Sequence, residues 1–457
     1  MEKKQLEKYL NLALQTGADF AEIYYEESKT TNYRLTDSKI DAIDTDNEKG
    51  MGIRIIKNEL SYYTSTNILN DDNIVNVISK LTNKIESNKK INTSLGQLID
   101  KTKKVKLSHE KYNVEDKKKL LYSIDTIARN ESKLVSQVLA GILEMDKTFV
   151  VANSKGKYVK SNNSWTRIVA SVYAEKDEIK ERESTNIAAT GGYELLNQFD
   201  IEKEIKKITK IAVEKLDSKN FKGGEMPVIL CPGFGAVIFH EACGHGLEAT
   251  SVSPHLSVFS DDLNTKVASE KVTLIDDGTI EDSWGSFTID DEGNNSEKNI
   301  LIENGVLKEF LVDQFNSKQM KMKSNGCGRR ESYRYATTSR MSNTYLAPGK
   351  DKIEDMIKSI DYGVYCESMS GGSVNPATGD FNFSVETARL IENGEIKHLL
   401  KGVALIGNSK EILKNVEMVS DDLKIEAGFC GSKSGSIPVT IGQPTIKVSK
   451  ILVGGME

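Results

Sequence analysis

The chain has 457 residues, of which 38% are hydrophobic and 28% charged, and its net charge is −6. A chain of this length exceeds what one hydrophobic core usually supports, so two domains are expected. The acidic balance gives no clustered basic face for nucleic acid, and no apolar run approaches the roughly 18 residues that indicate a membrane helix. Five widely spaced cysteines in so long a chain disfavour a disulfide scaffold and indicate a cytoplasmic protein.

Helices and strands both occur in the first half of the chain. Residues 3–15 carry apolar side chains at helical spacing, and this charged start lacks the apolar core and cleavage site of a signal peptide. Turn residues between β-branched and aromatic stretches then predict strands. The elements predicted after the first helix are strands over 20–66, a helix near 73–87, a polar connection over 88–112, a helix over 115–130, a strand meander over 134–190 with a turn at NSKGK, and a charged helix over 200–218.

The character of the sequence changes near residue 220. The segment FKGGEMPVILCPGFGAVIFHEACGH predicts a loop, a short apolar strand, a Pro-Gly turn and a helix. Beyond residue 255, turn dipeptides alternate with the apolar runs KVTLID, NILIE, KEFLVD, IPVTIG and TIKVSKILV, a pattern typical of antiparallel strands. Asn-Gly in LIENGVLKEFLVD and in LIENGEIKHLLKGVALIGN predicts two hairpins.

These patterns predict an α+β fold with two domains. The first is an N-terminal α/β domain over residues 1–220. The second is a mainly antiparallel β domain over residues 221–457, which carries a short helix with the motif HExxxH.

The motif lies in FHEACGHGLEAT and contains His240 and His245, two of the five histidines, with Glu241 directly after the first. Residues at i and i+4 lie roughly 40° apart around a helix, whereas residues at i and i+5 lie roughly 140° apart. Both imidazoles can bind one ion only if the helix ends near Gly244 and bends back, or if one wide π turn is inserted. Gly244 tolerates positive φ and permits either solution, and Gly246 adds freedom beyond it. Two histidines that merely cap or pack are an equally good interpretation of these residues.

A catalytic zinc takes three protein ligands and one open position, so a third ligand is required. Cys430, in AGFCGSKSGSIP, lies in a glycine-flanked turn that leads into apolar strands, and a thiolate is a good zinc ligand. A single cysteine is also a common small buried residue, and spacing does not separate Cys430 from Cys327. Cys243, inside the motif, is expected to point away from the histidines. The remaining histidines lie elsewhere in the sequence: His109, His255 and His398.

Two segments of the C-terminal half are candidates for contact with a peptide. MSGGSVNPATGDFNF contains Gly371 and Gly372, which permit close backbone approach, and Pro376, which blocks ladder pairing on one side. An extended peptide can add as a strand to such an edge, and a plain surface loop is the equal alternative. In CGRRESY, Arg329 and Arg330 are candidate anchors for a peptide carboxylate, with an ion pair to a local Asp or Glu as the alternative.

Taken together, these blocks resemble the TldD/PmbA family of metallopeptidases, and specifically its zinc-bearing TldD branch. The PmbA-like branch lacks the histidine motif. The resemblance covers most of the chain in the family's order and rests on GADFAEIYYEE, FHEACGHGLEAT, IDDGTIEDSWGSFTIDDEG, LIENGVLKEFLVD, GRRESY, MSNTYLAPG, GGSVNPATGDFNF, LIENGEI and CGSKSGSIPVTIGQPTIKVSKILVGG.

The resemblance implies a Zn²⁺ site formed by His240, His245 and Cys430, with Glu241 as the general base that activates a zinc-bound water. It selects Cys430 over the other thiols. It also implies hydrolysis of unfolded or flexible peptides in the cytoplasm, by a homodimer or by a heterodimer with a PmbA-like chain. Because a thiolate ligand weakens the Lewis acidity of the metal, a slow and selective enzyme is expected.

Two other functions remain open on the sequence. The same centre would suit a metal-dependent amidase that acts on a small molecule. Alternatively, the chain is a zinc-stabilised peptide-binding subunit of a larger complex. A structural zinc is usually closed by a fourth protein ligand, so the number of ligands separates this last function from a catalytic one.

Overall fold

In the computed structural model, which describes residues 1–85 and 92–456, the chain has the predicted α+β fold. The N-terminal half builds one sheet of long antiparallel strands with helices packed on it, and the rest of the chain builds two further large sheets. Among the described residues, no helix is both long and apolar enough to cross a membrane.

The N-terminal sheet has the strand order β3-β2-β1-β5-β6-β4, and β7 also pairs with β6. Its strands are β1 (Phe20–Thr36), β2 (Lys39–Lys57), β3 (Leu60–Thr66), β4 (Ile99–Asp100), β5 (Val135–Asn153), β6 (Tyr158–Lys176) and β7 (Ile179–Thr190). The helices of this half are α1 (Lys3–Leu14), α2 (Asp71–Thr82), α3 (Val114–Glu131) and α4 (Ile201–Lys215).

Capping side chains set the starts of α2, α3 and α4. Asn70, Asn113 and Asp200 each accept a hydrogen bond from the backbone N–H three residues later, which satisfies a donor that the first helical turn leaves free. The observed starts lie close to the predicted ones. The predicted end of the second helix at residue 87 and the first residues of the predicted 88–112 connection lie outside the described residues.

The helices bury one face each against this sheet. Leu6 and Leu10 of α1 and Ile78 of α2 are fully buried together with Ile23 and Ile53 of the sheet. A second cluster lies under α3 and α4, which pack on β5, β6 and β7. Each such side chain contributes about 1.5–3 kcal/mol through burial, so the helical spacing read from the sequence is what holds this layer together.

The C-terminal half contains one sheet in the order β11-β10-β9-β14-β21-β20 and another in the order β15-β8-β22-β18-β16-β17, with β19 on β22. Most pairs are antiparallel. Its strands are β8 (Gly224–Leu230), β9 (Leu274–Asp277), β10 (Lys298–Glu303), β11 (Val306–Leu307), β12 (Gly328–Arg329), β13 (Thr338–Ser339), β14 (Asn343–Leu346), β15 (Tyr362–Val374), β16 (Asp380–Glu392), β17 (Glu395–Leu400), β18 (Ala404–Asn408), β19 (Val416–Val419), β20 (Lys424–Ser432), β21 (Gly435–Gln443) and β22 (Ile446–Gly454). The helices are short: α5 (Val237–Phe239), α6 (Ala249–Val252), α7 (Gln314–Met320), α8 (Ile353–Lys358) and α9 (Ser409–Lys414).

The pairing of β15 with β16 closes the second of these sheets into a ring of β15, β8, β22, β18 and β16. On its other side, β15 pairs with β8 only through Val364–Cys366. Within the described chain, the rest of β15, from Ser368 to Val374, therefore has a free edge. This strand packs against the segment that follows β8.

Both predicted Asn-Gly hairpins are confirmed. Asn304 and Gly305 connect β10 to β11, and Asn393 and Gly394 connect β16 to β17. All four residues have positive φ, as the favoured two-residue hairpin turns require.

The strand predicted over KEFLVD is wrong. Residues 308–313 form an irregular segment, apart from an isolated bridge between Leu311 and Glu248. Phe310, Leu311 and Val312 are all buried in succession. The apolar run therefore reflects burial on every side, which a short sequence window does not distinguish from a strand.

Buried ion pairs join the N-terminal sheet to the C-terminal half. A guanidinium nitrogen of Arg330 lies 2.6 Å from a carboxylate oxygen of Glu22, and both side chains are almost fully buried. Arg54 and Glu292 form a second buried pair at 3.2 Å. The two halves of the chain are therefore in direct contact through buried side chains. The predicted domain boundary at 220/221 stays a prediction.

Candidate metal centre

The segment after β8 carries both histidines of the motif. Phe234–Ala236 forms a 3-10 turn, α5 follows, His240–Gly244 forms one π-helical turn, and His245–Leu247 returns to 3-10 geometry. The backbone N–H of His245 donates to the carbonyl of His240. This i to i+5 hydrogen bond is the wide turn that the spacing HExxxH requires if both imidazoles are to face one point.

The reason for the two glycines differs from the one predicted. Gly244 has φ −56°, so it does not use the left-handed region. A Cβ on Gly244 would lie 2.0 Å from Sδ of Met341, and a Cβ on Gly246 would lie 2.8 Å from the ring of Phe259. We call residues 234–247 the metal-motif segment. Both glycines are needed for its close packing, not for a positive φ.

Three side chains of types that can bind a metal converge in this region. The donor atoms of His240, His245 and Cys430 all lie within 4.8 Å of one another. Nε2 of His245 lies 3.1 Å from Sγ of Cys430, and the two imidazole rings are 5.3 Å apart at 81°. His240 and Cys430 are each 3% exposed, whereas His245 is only partly buried.

Two carboxylates flank His245. Glu241 is partly exposed, and its Oε2 lies 3.6 Å from Nε2, on the ring nitrogen that faces Cys430. Glu248 is buried, and its Oε2 lies 3.0 Å from Nδ1 on the other side of the ring. One carboxylate therefore lies beside the thiol and the other lies behind the imidazole.

Cys430 reaches the centre from β20, whose partner β21 pairs Ile437 with it. Its side chain packs with Ile437 and Val439. Arg340 is fully buried and contacts the hairpin formed by β20 and β21. Its guanidinium donates to the backbone carbonyls of Cys430 and Gly435. The position of the thiol is thus fixed by an arginine on another segment of the chain.

The electrostatics of the metal-free centre favour a thiolate. Burial alone would raise the pKa of the Cys430 thiol, but the imidazoles of His240 and His245 outweigh burial and lower this pKa to about 3. Burial would lower the pKa of His245, whereas the charges of Glu248 and Cys430 outweigh it and raise this pKa well above its ordinary value. Anion and cation therefore stabilise each other.

The three side chains fit a zinc ion. Both ring nitrogens of His240 are buried and have no hydrogen-bond partner among the residues that the structure describes, a state that is costly without a ligand. With Zn–N near 2.0–2.1 Å and Zn–S near 2.3 Å, the donor atoms of a tetrahedral site lie roughly 3.3–3.6 Å apart, and the observed donor atoms, all within 4.8 Å of one another, need only small side-chain movements to reach this spacing. Two imidazoles and one thiolate are ligand types that zinc accepts.

The other histidines and thiols lie away from this cluster. His109 is bonded through its two ring nitrogens to Asp146 and Thr166, and His255 is exposed. Cys243 and Cys327 lie in the main hydrophobic core, where burial raises the pKa of each thiol. The structure therefore brings Cys430, and not Cys327, to the histidines.

The candidate arginine anchors lie on a cleft of about 460 Å³ between the N-terminal sheet and the C-terminal half. Arg330 is occupied by Glu22, which matches the ion-pair alternative. Arg329 donates to the carbonyls of Met341 and Pro438 and has no carboxylate within ion-pair distance among the described residues. A role for either arginine in peptide binding stays a prediction.

Gly371 and Gly372 lie on the free edge of β15. Gly371 has φ +130° and would have open space around an added Cβ, whereas a Cβ on Gly372 would lie 2.2 Å from the carbonyl oxygen of Asn382. Contact of these glycines with a peptide stays a prediction, and the strand on which they lie packs against the metal-motif segment.

Two residues of the centre escaped sequence reasoning. Glu248 stands three residues after His245, a spacing at which helical side chains meet, so the motif could have been extended to HExxxHxxE. Arg340 offered no signal, because its link to Cys430 arises only from the packing of segments distant in sequence.

Comparison with known proteins gives matches along most of the chain. Profiles of the PmbA/TldA metallopeptidase domain 1, central domain and C-terminal domain match residues 21–83, 108–219 and 223–455. A metalloprotease TldD homolog of Buchnera aphidicola (from Acyrthosiphon pisum) is 36% identical over 96% of this chain and 93% of its own. A zinc metalloprotease TldD homolog of Saccharolobus solfataricus is 28% identical over 98% of this chain and 99% of its own.

Solved structures show the same fold. TldE from Thermococcus kodakarensis superposes with a TM-score of 0.80 at 22% identity, covering 99% of this chain and 100% of that one. A proposed modulator of DNA gyrase from Thermotoga maritima superposes with a TM-score of 0.81 at 20% identity, covering 99% of both chains. The chain belongs to the PmbA/TldD metallopeptidase family.

Proposed function

We propose that this protein is a zinc-dependent peptidase that hydrolyses unfolded or flexible peptides. The observation that carries the proposal is the convergence of the donor atoms of His240, His245 and Cys430 within 4.8 Å. The name of the Saccharolobus solfataricus relative includes zinc, which supports zinc as the ion here. A bound zinc ion would polarise the scissile carbonyl and acidify the attacking water.

Glu241 is the general base in this proposal. Its carboxylate lies on the same side of His245 as the Cys430 thiol, at 3.6 Å from Nε2, and it is partly exposed, so water can reach it. From this position it would take a proton from the attacking water and pass it to the leaving amine. Carboxylates perform this transfer when they are held within hydrogen-bond reach of the water.

A catalytic centre fits the number of donors better than a structural one. Among the described residues, the group of histidine, cysteine and carboxylate donors that could share an ion has three members. Catalytic zinc sites keep an open position beside three protein ligands, whereas structural sites are usually closed by a fourth. The count therefore favours catalysis over a zinc-stabilised binding subunit.

The free edge of β15 is the proposed docking strand for the peptide. Its residues from Ser368 to Val374 lack a strand partner on one side within the described chain, and β15 packs against the metal-motif segment. A peptide added there would be held by backbone hydrogen bonds, which tolerate different side chains. A flexible substrate suits this mode of docking because its backbone N–H and C=O groups are not already paired within a fold.

We also propose that the protein works as a dimer, with itself or with a PmbA-like chain. Ile406 and Leu452 are register partners on β18 and β22 and are 38% and 44% exposed. Light scattering alone and after mixing with a PmbA-like chain tests this part. A monomer in both conditions would refute it.

The test of the activity compares Glu241→Gln with the exposed control Glu281→Gln. Metal content and cleavage of an unstructured peptide are measured, the products by mass spectrometry. We expect Glu241→Gln to keep its metal and lose cleavage, because it removes the base and leaves the ligands, and we expect the control to keep both. Cleavage by Glu241→Gln at the wild-type rate would show that the assigned base is wrong.

A further inference from the structure

The metal centre contains a continuous chain of contacts that joins two of its candidate ligands through residues that do not touch the ion site. It begins at Nδ1 of His245, which lies 3.0 Å from Oε2 of Glu248. Glu248 continues to Arg340, whose Nε lies 3.9 Å from Oε1. Arg340 ends the chain at the backbone carbonyl of Cys430.

The contact with Glu248 decides which nitrogen of His245 carries the proton. A carboxylate only accepts, so Nδ1 is the donor and carries the hydrogen. Nε2 is then the ring nitrogen that faces Sγ of Cys430, at 3.1 Å, and its lone pair becomes available to a metal when the second proton of the imidazolium is released. The arrangement directs Nε2 toward the point on which the three candidate ligands converge.

Glu248 is itself held in place. Its backbone carbonyl accepts hydrogen bonds from the N–H groups of Ser251 and Val252, and its Oε1 accepts from the backbone N–H of Met341 at 3.3 Å. Its side chain is 3% exposed. A carboxylate so fixed can hold the imidazole ring in one rotamer.

Arg340 extends this restraint to the other ligand. It is fully buried, and one guanidinium nitrogen donates to Oγ of Ser434 and to the carbonyl of Gly435, both at 2.9 Å. The other terminal nitrogen donates to the Cys430 carbonyl. Arg340 is therefore hydrogen-bonded both to the end of β20 and to the turn between β20 and β21.

His240 has no comparable support. Within the described part of the chain, no carboxylate is bonded to either of its ring nitrogens, although the ring is buried. The two histidines of the motif thus differ: one is oriented by a carboxylate and the other is not.

We propose that Glu248 and Arg340 are a pair of positioning residues, with Glu248 orienting His245 for the metal and Arg340 tying that orientation to the backbone of Cys430. The inference rests on the proposed function, because it assigns roles relative to the ion that the three ligands would share. Neither residue touches substrate or ion in this assignment.

The test is a metal-affinity measurement by competition with a chelator, on the full chain. Glu248→Ala is expected to weaken zinc affinity by about 10–100-fold, the usual effect of removing the partner of a ligating histidine. Glu248→Gln keeps an acceptor and should lose less. Substitution with cobalt should still give the thiolate charge-transfer band, because Cys430 remains able to bind.

A matched control separates positioning from stability. Glu183 is another buried carboxylate, 5% exposed, and it pairs with Lys215 at 2.9 Å in the N-terminal half. Glu183→Ala should lower the stability of the metal-free protein and leave zinc affinity unchanged. If Glu248→Ala behaves in the same way as this control, the positioning role is refuted and the residue is only structural.

The link between the two residues has its own readout. If they act through one chain of contacts, the affinity loss of the double variant Glu248→Ala/Arg340→Met is smaller than the product of the two single losses. A double loss equal to the product refutes the coupling. His245→Ala and Cys430→Ala show which of the two proposals has failed. If these variants also keep the wild-type zinc affinity, the proposed metal site is wrong. If they lose affinity while Glu248→Ala and Arg340→Met keep it, the positioning pair is wrong.

Discussion

Sγ of Cys430 lies 3.1 Å from Nε2 of His245, although 185 residues separate them in the chain. The histidine comes from an irregular helix after β8, and the cysteine comes from an edge strand of another sheet. Their contact depends on the packing of the whole C-terminal half. A metal bound between them would therefore report on the correct assembly of that half as well as on the ligands.

The first prediction concerns the thiol. Cys430→Ala removes one of three candidate ligands and should reduce zinc affinity by more than about 100-fold, beyond the range typical of residues outside the ligand set. Cys366 is the matched control, since it is 1% exposed and lies in the hydrophobic core. Cys366→Ala should keep its metal in an elemental analysis. Equal metal content in the two variants would contradict the assignment.

The second prediction concerns the ionisation of the metal-free centre. The imidazoles of His240 and His245 overcome burial and lower the pKa of Cys430 to about 3, far below the value near 8.5 of a free thiol. The thiolate is therefore present throughout the range from about pH 5 to pH 8, because this range lies above the folded pKa.

Ultraviolet thiolate absorbance measures this directly, as the difference between the metal-free wild type and Cys430→Ser. The difference should already be complete at about pH 5 and stay constant to about pH 8. In denaturant it should instead rise with a midpoint near 8.5. A folded-state rise with that same midpoint would show that the histidines do not stabilise the thiolate.

The sequence predicted local elements of the fold better than the contacts between segments that are distant in sequence. Helical periodicity predicted α1, and Asn-Gly predicted the hairpins at Asn304 and Asn393, because these signals act between near neighbours in sequence. The spacing HExxxH predicted that a wide turn is one of two solutions. The role of Gly244 and the part played by Arg340 were beyond reach, since both arise from contacts with segments far along the chain.

The third prediction follows from the contact between Gly244 and Met341. A Cβ on residue 244 would lie 2.0 Å from Sδ of Met341, which is fully buried. Gly244→Ala should destabilise the fold by about 1–3 kcal/mol through overpacking. It should also weaken metal binding, because His245 is the next residue. Chemical denaturation and chelator competition measure the two effects.

Two further variants test the cause of that loss. A Cβ on Gly431 meets nothing within 4 Å, so Gly431→Ala should change stability by no more than about 0.5 kcal/mol. Met341→Ala opens space for the new methyl group, so Gly244→Ala should cost little in that background. The same cost in both backgrounds would mean that Met341 is not the obstacle.

The fourth prediction concerns the contact between the two halves of the chain. Glu22 and Arg330 form an ion pair at 2.6 Å in which both side chains are almost fully buried. Glu22→Ala leaves a buried guanidinium without its counter-charge and should cost about 3–5 kcal/mol. The more exposed pair of Glu48 and Arg334 also joins the N-terminal sheet to the C-terminal half, and Glu48→Ala should cost at most about 1 kcal/mol. Similar losses in denaturant titrations of the two variants would contradict the assigned importance of burial.

The last prediction addresses how a peptide would dock. If the free edge of β15 between Ser368 and Val374 receives the substrate as a strand, its affinity comes from backbone N–H and C=O groups. Methylating a substrate backbone nitrogen removes one donor and adds bulk at the edge. Each methylation at a paired position should raise KM by about tenfold, since a lost hydrogen bond costs about 0.5–1.5 kcal/mol and an unpaired partner adds to this.

Methylation at alternate positions should have little effect, because successive residues of a strand point their N–H groups in opposite directions. This period of two in a scan along the peptide is specific to strand addition, and a uniform effect of methylation at every position would show that the peptide binds in another way.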